Sequence, residues 1–418
     1  MRRALIRRVL APDLVWRGGA FQRNVAIEIG GDGRIARVGP AADLADGASE
    51  RLTERALLPG FVNAHSHAFQ RLLRGRAQWR LVGGEADFWS WREAMYQVAL
   101  ELSPDDVHQV ARFCFIEMLA AGFTTVAEFH YLRNDARGRA YDDPQEIAHR
   151  VIGAAREVGL RVVLLDAAYA SGGIGAPLEE RQRRFATPDL DRFLSGVETL
   201  ADRWVDDPAV EVGVAPHSVR AVPREWLGPI AAWAAERRLP LHAHVAEQPA
   251  EVAACRAAYG RGPVEVLADE GALGPGTTVV HATHVEPAEI ALLAGARAGV
   301  CACPTTERDL GDGFLPADEL ARAGVSLAIG SDSQTVIDPF EEVRLVEYHE
   351  RLRRGRRVVL GTDRDGRRDT APVLLAMASE GGARSLGLDA GRIEPGAWAD
   401  FVAIDTDHPA LAGWSDAT

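Results

Sequence analysis

Two rhythms of apolar and polar residues divide this chain. Over the first fifty-odd residues apolar positions alternate with polar ones, and in VAIEIGGDGRIARVG (25–39) the alternation runs on both sides of a Gly-Asp-Gly turn, which predicts a β-hairpin. From residue 57 the rhythm changes to short apolar runs separated by stretches with helical spacing. The runs are 57–65, 124–131, 161–169, 210–217, 240–247, 277–284, 299–304 and 325–332. Eight strands, each followed by a helix, close a (β/α)8 barrel of the TIM type. The helical stretches carry their own punctuation: in SPDDVHQVARFCFIEMLAAG, Ser103 suits a cap, Pro104 the first turn, Asp105 and Asp106 the helix dipole, and Gly122 the stop. After residue 387 the alternation returns, with a turn at Glu394-Pro395-Gly396 ahead of the segment ADFVAID. The predicted organisation is a small β domain built from both chain ends, residues 1–56 and 388–418, flanking an α/β barrel over 57–387.

Composition narrows the class without naming a chemistry. With 47% hydrophobic and 26% charged residues in 418, and no apolar run of membrane-spanning length, the chain reads as globular. Arginines interrupt the basic opening MRRALIRRVLAP, so it lacks the continuous apolar core of a secretion signal and a cytoplasmic location is expected. A net charge of −13 argues against nucleic acid or an anionic membrane as a partner. It does not exclude an acidic small molecule, because a few buried arginines override the global field locally. Cys114, Cys255, Cys301 and Cys303 are too few for a disulfide framework and are expected as core thiols.

In such a barrel the C-terminal strand ends converge on one mouth. The runs end in polar residues: His65 and His67 after the first, Tyr131 after the second, His217 after the fourth, His244 and Glu247 after the fifth, His281 after the sixth and Asp332 after the eighth. His65 and His67 share one face of a strand by its two-residue period. Together with His244 and Asp332 they form a ligand set for a divalent ion that leaves one position for water. The donor types favour zinc, with iron or manganese as alternatives. His242, one pleat deeper than His244, and His284 are expected as hydrogen-bonded interior histidines; His108, His149, His349 and His408 are expected in solvent.

This order of motifs resembles the amidohydrolase superfamily: H-x-H after strand one, histidines after strands five and six, aspartate after strand eight. Many members carry at strand four a lysine that bridges two metals once carboxylated; here that run is VEVGVAPHSVR, so the resemblance implies one metal per chain. The spacing from His244 to Glu247 is similar to the H-x-x-E of the superfamily's deaminases, whose glutamate moves protons at an imino nitrogen. In those terms Glu247, His281 and Asp332 are the expected catalytic residues.

A narrower resemblance is to the formimidoylglutamate deiminases, which hydrolyse N-formimino-L-glutamate to N-formyl-L-glutamate and ammonia in histidine degradation. It rests on NAHSHAFQR (63–71), DFWSWREAMY (87–96), EFHYLR (128–133) and APHSVRAV (215–222). Carried over by position, Gln70, Arg92, Tyr131, His217 and Arg220 would contact a dicarboxylate substrate, and two arginines suit two carboxylates in two-pronged geometry. Phe88, Trp89 and Trp91 are expected as packing that anchors a loop carrying Arg92. The resemblance also implies a homodimer. Relatives continue through further strands of the small domain, whereas this sequence closes on DHPALAGWSDAT, so that domain is expected to be short. A purine or pyrimidine aminohydrolase is the alternative within the fold, and would need a flat pocket with amide or aromatic partners instead of two arginines. A metal-binding scaffold without activity is the alternative outside it.

Overall fold

The computed structural model describes residues 8–44, 49–80, 82, 87–364 and 366–415. The opening through Arg7 and the last three residues of the closing segment therefore lie outside the described residues. Strands β1 (Arg8–Arg17), β2 (Ala20–Gln22), β3 (Val25–Ile29), β4 (Ile35–Pro40) and β5 (Glu50–Pro59) come first. The expected hairpin is β3 against β4, antiparallel, with Ile27 opposite Val38. Then come β6 (Phe61–Ser66), β7 (Phe123–His130), β8 (Arg161–Ala168), β9 (Val210–Pro216), β10 (Leu241–Val245), β11 (Thr277–His281), β12 (Gly299–Ala302) and β13 (Ser326–Ile329), parallel neighbours in one eight-stranded sheet. The chain is an α/β barrel of the TIM type, as its eight apolar runs predict. A short antiparallel hairpin, β14 (Thr362–Arg364) with β15 (Arg367–Asp369), was not foreseen. The last strand, β16 (Phe401–Asp405), returns to pair with β5, giving the order β16-β5-β1-β3-β4 with β2 alongside β1.

The first apolar run is corrected at its start. Residues 57–59 belong to β5 in the small sheet, and the chain crosses to β6 at Gly60. The apolar text is continuous across that crossing, so periodicity alone does not reveal it. A Cβ on Gly60 would lie 2.1 Å from Thr124 Oγ1, which is why glycine occupies the crossing.

Local rules account for the helices. Ser103 caps the helix Pro104–Ala121 by accepting from Asp106 N, while the Asp106 side chain accepts from Ser103 N, and Gly122 ends it in the left-handed region at φ 100°. Small side chains, Ala64, Val280, Cys301, Cys303 and Ala328, form a cluster contributed by the barrel strands and the start of the helix after β12. A larger apolar layer that includes Phe115, Met118, Phe123 and Leu164 packs helices against strands. All four cysteines are free and buried, as expected for core thiols. No helix of the described residues is long and apolar enough to cross a membrane.

The ring closes between β13 and β6. Asp332 N donates to His65 O and His67 N donates to Asp332 O, both at 3.0 Å. Gly330 makes that approach sterically feasible, since a Cβ there would lie 2.7 Å from both His65 Cβ and His65 O. Gly330→Ala should therefore lower stability by about 1–3 kcal/mol, the usual range for overpacking. It should also displace His65. Thermal denaturation and divalent-ion affinity, measured together, test this: a variant unchanged in both would show that the seam tolerates a methyl group.

Candidate active site

The four expected ligands meet at the mouth of the barrel. His65 Nε2 and His67 Nε2 lie 3.1 and 3.3 Å from His244 Nε2, and each lies 3.4 Å from Asp332 Oδ1. A tetrahedron with edges of that size has its centre about 2 Å from each corner, the length of a zinc–nitrogen or zinc–oxygen bond. Four donor atoms so arranged fit a divalent ion. The rings are set for it: His67 Nδ1 donates to Phe129 O at 2.8 Å and His244 Nδ1 to His217 O at 2.9 Å, which leaves both Nε2 lone pairs facing inward. His65 Nδ1 is buried without a partner, and this ring is held by edge contacts with Phe129 and His67 at 5.1 and 4.7 Å. Burial drives all three imidazoles toward the neutral, ligating form, pushing His65 down to about 3. Burial opposes ionisation of Asp332, yet the hydrogen bond to His65 and the surrounding imidazoles hold it below the usual carboxylate range.

His281 stands beside this set and joins it to Glu247. Its Nε2 lies 3.7 Å from both Glu247 Oε1 and Asp332 Oδ2, and its Nδ1 lies 3.4 Å from Glu307 Oε1. Burial opposes a charge on His281, but the Glu247, Glu307 and Asp332 carboxylates outweigh it and lift its pKa well above the ordinary value. Burial also raises Glu247, against the pull of His281 and Arg220. Asp312, close to both, is pushed up to about 9 by burial and by the Glu247 charge. The backbone is strained at these strand ends: Ala246, His281, Ala282 and Asp332 have φ of 51°, 72°, 52° and 46°. Left-handed non-glycine residues cost of order 1–3 kcal/mol each, and such strain gathers where geometry serves function.

A cavity of about 210 Å³ opens over the ligand set, and all five expected substrate residues line it. Gln70 Nε2 donates to the Tyr131 hydroxyl at 2.8 Å. His217 sits against the rings of Tyr169 and Tyr131 at 4.9 and 5.4 Å. The two arginines differ. Arg220 Nη2 reaches Glu247 Oε2 at 3.3 Å and its Nε lies 3.7 Å from Glu251 Oε2, so its charge is already shared. Arg92 lies over the rings of Trp89 and Tyr96 at 4.5 and 5.6 Å, has a buried Nε without a partner, and meets no carboxylate among the described residues.

Three expectations are corrected. Residues 88–101 form a helix, capped reciprocally by Asp87 and Ser90, where a loop was expected to carry Arg92. Phe88, Trp89 and Trp91 do more than pack, since all three line the cavity. His349 is buried against Phe314 at 5.0 Å, His108 bonds Arg150 O and Glu157, and His149 accepts from Trp204 Nε1; of the histidines expected in solvent, His408 is the exposed one. His242 is an interior histidine bonded to Ser385 O, as expected, and His284 bonds Asp312 O as expected but is only half-buried. Sequence reasoning missed Glu251, Glu307, Asp312, Tyr96 and Tyr169. Two of them left a signal: Tyr169 ends the third apolar run, and Glu251 is an acid in the first turn of the helix that follows the H-x-x-E spacing.

A parallel barrel whose strand ends present three histidines and an aspartate around a substrate-sized cavity defines a metal-dependent hydrolase. The chain belongs to the amidohydrolase family, whose sequence model matches residues 56–418. Among relatives, a formimidoylglutamate deiminase from Pseudomonas aeruginosa is 41% identical over 396 residues, 94% of this chain and 85% of that protein. The crystal structure of an amidohydrolase from Brucella melitensis matches with TM-score 0.90 and 36% identity over 98% of this chain and 89% of that one. An adenosine deaminase from Xanthomonas campestris with bound zinc matches with TM-score 0.80 and 26% identity over 97% of this chain and 86% of that one.

A second cluster, His281, Cys303 and Glu307, also brings ligand atoms together. There Glu307 Oε1 is already engaged, accepting from Cys303 N at 2.8 Å and facing His281 Nδ1 at 3.4 Å, while burial pushes the Cys303 thiol well up. Elemental analysis should accordingly find one tightly held divalent ion per chain, abolished by Asp332→Ala. Two equivalents, both required for turnover, would overturn this ligand assignment.

Proposed function

We propose that this protein catalyses hydrolytic deimination of N-formimino-L-glutamate to N-formyl-L-glutamate and ammonia. The observation that carries the reading is one cavity that combines the H-x-x-E glutamate of a deaminase with two arginines, one of them without a carboxylate partner. Guanidinium is the side chain suited to a carboxylate in a partly dry site. The 41% identical relative is a formimidoylglutamate deiminase, which supports the same substrate.

His65, His67, His244 and Asp332 would hold the ion, zinc by donor type, which when bound supplies the Lewis acidity that makes water nucleophilic near neutral pH. The rest is work for side chains. Asp332, with Oδ2 3.7 Å from His281 Nε2, takes a proton from the attacking water, and the protonated imidazole of His281 stabilises charge on the tetrahedral centre. Glu247 delivers a proton to the imino nitrogen. Return of the Asp332 proton to the amine lets the carbon–nitrogen bond break and ammonia leave, while the hydroxyl proton passes to the Glu247 carboxylate as the carbon–oxygen bond becomes the formyl carbonyl. Gln70, Tyr131 and His217 orient the formimino group, while Arg92 and Arg220 grip the carboxylates.

One observation favours a second reading. Phe88, Trp89 and Trp91 give the cavity an aromatic wall on which a purine could stack, and the zinc-bound structural relative is an adenosine deaminase. Against it stands the uncompensated Arg92, for which a neutral base has no counter-charge. Comparative turnover of N-formimino-L-glutamate and adenosine decides between them, and preference for the nucleoside would sink the deimination reading.

Two substitutions test the assigned roles. Glu247→Gln should keep the ion, since it leaves the donor set intact, yet lose about 10²- to 10⁴-fold in kcat. Near-normal kcat would reduce Glu247 to a residue of the helix entry. Arg92→Met should lower kcat/KM for N-formimino-L-glutamate about 10- to 150-fold, the equivalent of roughly 1.5–3 kcal/mol for a hydrogen bond to a charged group. Formamidine, which lacks carboxylates, should lose little. Equal losses for both compounds would show that Arg92 supports the fold and does not read the substrate.

A further inference from the structure

Glu251 has a side chain with 0% exposure, in the first turn of the helix Pro249–Tyr259. A glutamate at this third helical position ordinarily reaches back to the cap residue. Here it reaches further. Its Oε1 accepts from Ala246 N and its Oε2 from Glu247 N, each at 3.2 Å, and Oε2 also faces Arg220 Nε at 3.7 Å. Ala246 is one of the left-handed residues, at φ 51°, so the two bonds hold the strained turn that aims Glu247. The Arg220 guanidinium is thereby divided between two carboxylates, with Nη2 on Glu247 Oε2 at 3.3 Å and Nε toward Glu251.

We infer that Glu251 is a positioning residue for proton transfer: it fixes the backbone beneath Glu247 and takes up part of the Arg220 charge, so that Glu247 is free to leave the guanidinium for the imino nitrogen. The inference rests on the proton-transfer role proposed for Glu247. An ordinary helix cap would need only the cap amide and no buried cation. Of the three groups that Glu251 meets, Ala246 N, Glu247 N and Arg220, the last two belong to residues that line the cavity. Without the Glu251 charge, Arg220 would close on Glu247 as its one remaining carboxylate and tie it down, while still attracting a substrate carboxylate.

Glu251→Gln should therefore lower kcat for N-formimino-L-glutamate roughly 10- to 100-fold, part of the general-acid contribution, with KM and metal content near those of the parent. Adding Arg220→Met should raise kcat again while KM climbs, because the cation that captured Glu247 is gone. A loss that is merely structural would not be repaired by removing a second buried group. Unchanged kcat in Glu251→Gln, or a double variant slower than the single one, would overturn the inference. Turnover by the parent tests the proposed function separately; if another amidine or an aminated base is the better substrate, the same kcat comparison is made with it. A crystal structure of Glu251→Gln gives a readout free of any substrate: Glu247 should be found drawn onto Arg220, and unaltered geometry over 246–251 would equally overturn the inference.

Discussion

The barrel is closed by the same backbone that presents its candidate ligand set. Two hydrogen bonds at 3.0 Å, from Asp332 N to His65 O and from His67 N to Asp332 O, join the last strand to the first. Three of the four donor residues are thus at the seam, and the donor set exists only when the ring is complete. The seam is braced from both sides: Asn63 pairs with Ser331 through side chain and backbone, Gln334 Nε2 donates to Ser66 Oγ and Asp332 O, and Glu128 accepts from Ser66 Oγ and Ala68 N. The network also explains how Asp332 tolerates φ of 46°, since a strained residue persists only where its surroundings over-determine it. Burial pushes Glu128 up to about 8 against the pull of both its bonds. Closure of the ring and assembly of the candidate donor set are one constraint met by one set of bonds.

From that constraint follows the electrostatic character of the cavity. Asp332, Glu247, Glu251, Glu307 and Asp312 are all buried around two cationic groups, His281 and Arg220. Buried charges are tolerated only when each finds a partner, and a divalent ion among the imidazoles would offset part of the acid excess. The acid nearest the ligands, Asp332, is held ionised by imidazoles. The acid one step further out, Glu247, is shifted toward the neutral form by burial, and the two meet through His281. Environments that push neighbouring acids in opposite directions are the setting in which acid and base roles can separate.

Much of this was legible because strands write their ends plainly. No barrel strand overruns the apolar run that predicted it by more than one residue once the start of the first is moved to Phe61, and His65, His67, His244, His281 and Asp332 stand where those runs stop. Residues that reach the cavity from helices and loops were not legible in the same way. Tyr96 is the ninth residue of a helix whose boundary falls in a tryptophan-rich segment that reads equally well as a loop, and Tyr169, although it ends the third apolar run, reads there as part of the apolar strand. Asp312 and Glu307 belong to a seven-residue helix and the turn after it, too short for a pattern to accumulate. His349 was misjudged for a related reason. Its helix, Pro339–Arg354, reads as polar, yet Glu342, Glu347 and Glu350 are buried because their carboxylates accept backbone amides of Thr305, Val359, Leu360 and Ala317. Charge in the text was taken for exposure, whereas three-dimensional pairing had satisfied it.

The small sheet meets the barrel at the opposite end from the candidate site. Gly60 N donates to Asp400 O at 2.8 Å just before β6 begins, and Arg161, the first residue of β8, pairs with Asp400 at 3.1 Å and lies 3.9 Å over the Trp398 ring. Arg34 covers the same ring at 4.1 Å, and Val402 approaches Gly122, where β7 starts. All these contacts fall at N-terminal strand ends, whereas the donor set and cavity lie at C-terminal ends. The division matches what parallel strands impose, a stabilising face and a reactive face on one barrel. It lets the sheet anchor the ends of β6, β7 and β8 without constraining the left-handed turns at Ala246, His281 and Asp332. The strain in those turns is balanced locally, by Glu251, Glu307 and Gln334, and so the geometry of the site depends on its immediate neighbours far more than on the domain beside it.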